Sequence, residues 1–252
     1  MGDGGRVAAL DPTLTVLIYS SLAAGAAALG AVPLGARERL PLAWIGWANA
    51  LAAGLMLGAA YALMVAGLDR APARGAAGAL LGIGFVFSTH AASGTEDLDL
   101  NRLDETGPAY GYQLLLVNTL HAAPEGIAIG AAMAVSLPFG IFMALAIAVH
   151  NVPEATVFSS ILTSRGVRLR DAAGLSVAAN VNQVLLAIVT FAIVSAAPSV
   201  LPWALGFAVG ALIYLVMAEL LPECYRQAGR SSIALVTIVA MGMVVWLSGR
   251  SP

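Results

Sequence analysis

Eight long apolar stretches follow one another with barely a break, and no other feature of this chain limits its fold so sharply. They fall at about Thr13–Gly35, Pro41–Gly67, Gly75–Ala92, Gly111–Ala134, Pro138–Thr163, Ala172–Ala197, Leu201–Leu221 and Ser232–Ser248. A bilayer asks for roughly 20 apolar residues per helix and leaves no backbone group unpaired. Each stretch meets that length or comes close. Of the 252 residues, 60% are hydrophobic and only 10% charged, against roughly 25% charged in a soluble domain. So large a deficit cannot be hidden in a bigger core. The 27 glycines and many alanines suit close helix contact in lipid, where small residues let backbones approach; they would be unusual in extended sheets. The expected fold is an all-α integral membrane protein, a bundle of eight transmembrane helices forming one domain over residues 1–252.

Most connectors are tiny: Ala36–Leu40, Leu68–Arg74, Val135–Leu137 and Ala197–Val200. One is longer and acidic, Ser93–Ala109, with Glu96, Asp97, Asp99, Asp104 and Glu105. Cytoplasmic loops of membrane proteins carry the excess of basic residues, so arginines in alternate loops give the orientation. Arg37, Arg39, Arg102, Arg165, Arg168, Arg170, Arg226 and Arg230 fall on one side; Arg6, Arg70, Arg74 and Arg250 fall on the other. Eight against four places the first set and the acidic loop in the cytoplasm, with both termini outside. The first residues lack a small-residue cleavage pattern, so the first helix is expected to stay in the mature protein. Without a eukaryotic targeting signal, the expected location is a bacterial or archaeal plasma membrane. A net charge of −2 with no basic patch argues against a nucleic-acid partner. The single cysteine, Cys224, excludes an internal disulfide.

Ionisable residues inside membrane spans are costly and point to function. Here they gather in the fourth and fifth spans, and they repeat. The fourth reads His121-Ala-Ala-Pro124-Glu125 and the fifth His150-Asn151-Val-Pro153-Glu154, so both contain H-x-x-P-E. Four residues apart, His and Glu share one helix face. The proline between them donates no hydrogen bond and crowds the preceding turn. That releases the carbonyls of Leu120 and Val149 and bends each helix beside its polar face. Consecutive helices on a short connector run antiparallel, so the motifs can meet near mid-membrane, with two imidazoles and two carboxylates around one point.

Two facing carboxylates in low dielectric repel. A divalent cation neutralises both, and the imidazoles complete its shell. This donor set suits Zn²⁺ and also Fe²⁺, Mn²⁺ or Co²⁺; Ca²⁺ and Mg²⁺ prefer all-oxygen shells. A blander reading competes, because membrane His and Glu also tie helices together by hydrogen bonds. One copy of the motif would leave the two readings near even. Two copies in adjacent spans, holding the only Glu in either, favour the metal. A metal-free proton relay is the lesser alternative.

These residues resemble the ZIP family of zinc and iron transporters. Asn118-Thr-Leu-His121-Ala-Ala-Pro124-Glu125-Gly126-Ile-Ala128-Ile-Gly130 is similar to the family's fourth-helix signature H-N-x-P-E-G-x-A-x-G. His150-Asn151-Val152-Pro153-Glu154 is similar to its partner motif, and Gly206-Phe-Ala208-Val-Gly210 with Glu219-Leu-Leu-Pro222-Glu223 to its seventh helix. The likeness covers essentially the whole chain. It implies passage of a divalent transition metal toward the cytoplasm as substrate, Zn²⁺ foremost and otherwise Fe²⁺, Mn²⁺, Co²⁺ or Cd²⁺. It also implies no organic cofactor, and a homodimer as the assembly. His121, Glu125, His150 and Glu154 match the family's principal metal site between helices four and five.

Many members hold a second, adjacent metal, and there this chain departs. Ala122 stands for the Asn expected after the first His, and Asn182 and Gln183 stand in the region of a sixth-span acid, Asn182 as a candidate for lining the path or orienting the ligands. Asn151 remains as a ligand, with two glutamates able to bridge, so one well-formed site and at best a weak second are expected. Met56 aligns with a methionine beside the family's site, although methionine at helical spacing is more often packing. Asn118, one turn before His121, lines the path or orients that ring. Glu219 and Glu223 form an exit relay or simply mark the membrane boundary. His90 collects released metal beside the acidic loop or, more plainly, faces solvent.

The expectation is therefore a transporter and not an enzyme. The metal sheds water in an outward cleft, binds the two motifs, and leaves inward when their helices shift. Release needs a weakened site, and protonation of the ligands is one trigger. The repeated motif in antiparallel helices is also what inverted symmetry would produce. A membrane-embedded metal-dependent hydrolase is the rival. Zinc proteases need H-E-x-x-H, whereas Ala122 and Asn151 follow the two histidines here. A third reading, a scaffold whose motifs only lock helices, predicts that changes at His121 or Glu125 cost folding rather than metal binding.

Overall fold

The computed structural model describes residues 11–36, 40–68, 71–93 and 108–249, with the side chains of 68, 90, 92, 93, 108–114 and 117 excepted. Among the described residues the regular structure is helical, in eight rods: α1 (Pro12–Ala36), α2 (Leu42–Leu68), α3 (Pro72–Ser93), α4 (Pro108–Val135), α5 (Leu137–Ser164), α6 (Leu169–Ala196), α7 (Pro198–Ala228) and α8 (Arg230–Ser248). Six of them, all but α3 and α4, are long and apolar enough to cross a membrane. The rods follow the expected spans to within a few residues, with one exception. The seventh runs on to Ala228 instead of ending near Leu221. The acidic loop lies outside the described residues, as does the side chain of His90.

Local chemistry sets the ends. Asp11 accepts the amides of Thr13 at 2.8 Å and Leu14 at 3.2 Å, an N-cap placed before Pro12 in the first turn. Ser136 alone separates α4 from α5, and its Oγ accepts the Phe139 amide at 3.3 Å. α5 stops at Gly166, whose φ is 82°. There the Val167 amide donates to Leu162 O at 3.1 Å and the Gly166 amide to Thr163 O at 3.0 Å. This left-handed cap is open to glycine because no Cβ crowds the carbonyl.

Three rods are irregular, and each irregularity bears on the polar core. α1 tightens to a 3₁₀ turn over Ala27–Ala31, with the Ala27 amide bonded to Ala24 O. The carbonyl of Ala23 thereby loses its usual partner. α6 breaks at Asn180, whose Nδ2 donates to Ser176 O at 2.9 Å, a side chain competing with the backbone ladder. α7 widens to a π turn over Val216–Leu220, just ahead of Pro222, which has no N–H for the carbonyl of Ala218.

The rods pack most extensively as α3 on α7, α4 on α6 and α2 on α8. Gly206 and Gly210 lie directly over the carbonyls of Gly75 and Ala79, and Gly126 over that of Gln183, where any Cβ would collide. That is the small-residue contact expected in lipid. A central apolar cluster draws Val16, Met56, Leu63, Ile129, Met143, Leu205 and Leu212 from α1, α2, α4, α5 and α7. Large apolar side chains also face outward, among them Leu80, Leu235, Ile238 and Trp246. A surface like this suits hydrocarbon, not water.

Candidate metal site

The one-residue connector at Ser136 turns α5 back along α4, and the two H-x-x-P-E faces meet. Pro124 lies inside α4 and Pro153 inside α5, each next to the glutamate of its motif. His150 Nε2 lies 3.1 Å from Glu125 Oε1 and 3.0 Å from Glu154 Oε2. One donor atom from each of these three residues lies within 4.8 Å of the other two. Glu125 is 1% and His150 2% exposed, while the Glu154 side chain, 20% exposed, forms the open side.

The electrostatics of this cluster are unbalanced. An imidazole nitrogen that faces two carboxylates carries the ring's proton, because a lone pair there would repel both. Glu125 Oε2 and His150 Nδ1 are buried without a hydrogen-bond partner. Two carboxylates share one imidazole in a low-dielectric interior, and such an arrangement calls for a cation. Two carboxylate oxygens and an imidazole nitrogen make a borderline set that suits Zn²⁺ and its first-row neighbours.

The remaining expected residues separate into distinct roles. His121, expected as the fourth ligand, has its Nε2 2.7 Å from Glu219 Oε2 on α7. Glu219 lies in the π turn, half-buried, and the helix runs on past it to Ala228. Glu223 is buried and accepts from Arg226 Nε at 2.9 Å and Gln227 Nε2 at 2.7 Å. Met56 is buried on α2 and lines a small cleft that reaches Glu125 and His150, with Leu55, Ile147 and Leu212. Asn151 is buried, and its Nδ2 donates to Ala23 O at 2.9 Å and Gln183 Oε1 at 3.1 Å. Asn182 Nδ2 donates to Thr119 O at 3.2 Å, and Asn118 is half-buried on α4. Sequence reasoning passed over Gln183 in favour of Asn182. It is Gln183 that points inward, wholly buried.

Fold and cluster together define a multi-pass helical membrane protein with metal-type donors buried in its core. Residues 88–248 match the family described as ZIP Zinc transporter, well over half of the chain, and the chain belongs to that family. It is similar to an Arabidopsis thaliana protein provisionally named a zinc transporter, 33% identical over 93% of this chain but only 38% of that protein. It is also similar to zinc transporter GufA of Myxococcus xanthus, 30% identical over 83% of this chain and 88% of the relative. Zinc transporter ZIPB of Bordetella bronchiseptica is 32% identical over 94% of this chain and 82% of its own. These relatives are named as transporters, and the hydrolase alternative finds no support among them.

Proposed function

We propose that this chain carries Zn²⁺ across the membrane as its substrate, held in passage by Glu125, His150 and Glu154 with His121 as a fourth ligand. One observation carries the reading: three donor atoms from two proline-containing helices converge within 4.8 Å inside an apolar bundle. A divalent ion offsets the two carboxylates, and departing protons leave the same atoms as ligands. Membership of the family and the names of the relatives supply the identity of the ion. The site lies between α4 and α5, all eight rods cross the bilayer, and both termini lie outside. The arginine-rich loops then mark the cytoplasm, toward which the ion moves, and the location is a bacterial plasma membrane. A homodimer is the proposed assembly.

The test is flux. The chain is reconstituted in liposomes and Zn²⁺ uptake is followed with a trapped fluorescent indicator, for wild type and for Glu125→Gln with Glu154→Gln. Saturable uptake in wild type that falls to the protein-free background in the folded double variant is the expected result. Equal uptake in both overturns the assigned route. No uptake by folded wild type overturns the transporter reading.

A further inference from the structure

The x-x-P-E spacing occurs a third time. α4 carries His121, Pro124 and Glu125; α5 carries His150, Pro153 and Glu154; α7 carries Glu219, Pro222 and Glu223. In α7 a carboxylate stands where the other two rods place an imidazole. Its second acid, Glu223, is taken up within α7 by Arg226 and Gln227. Glu219 reaches across to α4 instead: its Oε2 lies 2.7 Å from His121 Nε2. The π turn that contains Glu219 re-aims its side chain relative to a regular helix, which is what single π turns do in helices.

The position of this pair is informative. The His121 and Glu219 side chains are 17% and 26% exposed, whereas those of His150 and Glu125 are 3% and 2%. The pair is therefore about as open as Glu154, 20% exposed, and far more open than Glu125 and His150. His121 lies one turn from Glu125 on the same face of α4, so a rotation of its side chain can bring a ring nitrogen toward the cluster. In this arrangement neither ring nitrogen of His121 joins the group of donor atoms formed by Glu125, His150 and Glu154, and while Nε2 faces Glu219 the ring is held outside that group.

We propose that Glu219 is a positioning residue that holds His121 off the metal, so that an ion is captured and let go as His121 exchanges between Glu219 and the cluster. This rests on the metal reading of Glu125, His150 and Glu154. With His121 on Glu219 the ion has three protein donors and a loose hold. With His121 on the ion it has four. The exchange alters the hold through one side-chain movement, and the buried carboxylates stay where they are.

The experiment measures Zn²⁺ affinity and release rate for the full chain in detergent, in wild type, Glu219→Gln and Glu219→Leu, each with and without His121→Ala. Removing the competitor tightens binding about tenfold in Glu219→Leu, which corresponds to about 1.4 kcal/mol, and slows release in proportion. Glu219→Gln, which keeps a weaker neutral bond to His121, gives a smaller change in the same direction. In the His121→Ala background both changes disappear, which a merely structural role for Glu219 would not produce. Weaker binding in the Glu219 variants overturns the proposal, because Glu219 is then itself a ligand. Unchanged binding overturns it as well. If Glu219→Leu fails to fold, Glu219→Gln decides alone. Wild type that binds no Zn²⁺, or binds it as well after Glu125→Gln and Glu154→Gln, overturns the metal reading and this proposal with it.

Discussion

Asn151 donates both bonds of its Nδ2 to groups outside the metal cluster, Ala23 O and Gln183 Oε1. The 3₁₀ turn in α1 leaves the Ala23 carbonyl without a helix partner, and Asn151 supplies one directly after His150. The residue expected as a ligand thus ties α5 to α1 and α6. Asn151→Ala strands that carbonyl and Gln183 Oε1, a loss of about 1–3 kcal/mol for buried groups left unpaired. The expected outcome is a lower melting temperature in detergent, with Zn²⁺ affinity reduced less than by His150→Ala. The repeated H-x-x-P-E and its His-to-Glu spacing made the grouping of Glu125, His150 and Glu154 legible in the sequence, whereas His121, expected beside them, faces Glu219. The role of Gln183 was not legible. The break at Asn180 resets the helical phase of α6, so spacing alone does not say whether Asn182 or Gln183 faces α5.

At the scale of the elements, contact is set by missing side chains. Gly126 sits against the Gln183 backbone, and the same region of α4 carries Glu125. Gly126→Ala forces α4 and α6 apart, and overpacking of this kind costs about 1–3 kcal/mol. Gly25, exposed on α1 with nothing within 4 Å of a built Cβ, is the matched control. Gly25→Ala is expected to stabilise by about 0.5–1 kcal/mol, because the unfolded chain loses freedom. Thermal melting of the two variants side by side checks both signs. Pro124 and Pro153 were expected to bend α4 and α5, yet both rods run on as unbroken α-helix through them, and the irregular rods are α1, α6 and α7. The π turn of α7 was hidden. Two acids near Leu221 read as an exit relay or a boundary at the end of the span, but the rod absorbs Pro222 and continues to Ala228.

For the whole molecule, the proposed eight crossings place three of them, α6, α7 and α8, between Arg168 and Gly249, and an odd number sets these two residues on opposite faces of the bilayer. Cys224 is buried and gives little background, so single cysteines report topology directly. Gly249→Cys is expected to react with an impermeant maleimide on intact cells, and Arg168→Cys only in inside-out vesicles; labelling of both from one face would contradict eight crossings. The membrane class, the rods and the convergence of the two motifs on adjacent helices were determined by sequence alone. Hydropathy and local spacing act within one helix or between neighbours joined by a short turn. The partner of His121, the tie made by Asn151 and the inward turn of Gln183 were decided only by tertiary structure. His121 and Glu219 lie 98 residues apart, and Ala23 and Asn151 lie 128 apart. No local periodicity says which rods will stand side by side. That depends on where bare glycine faces let backbones close, and on where a broken helix leaves a carbonyl that another rod must satisfy.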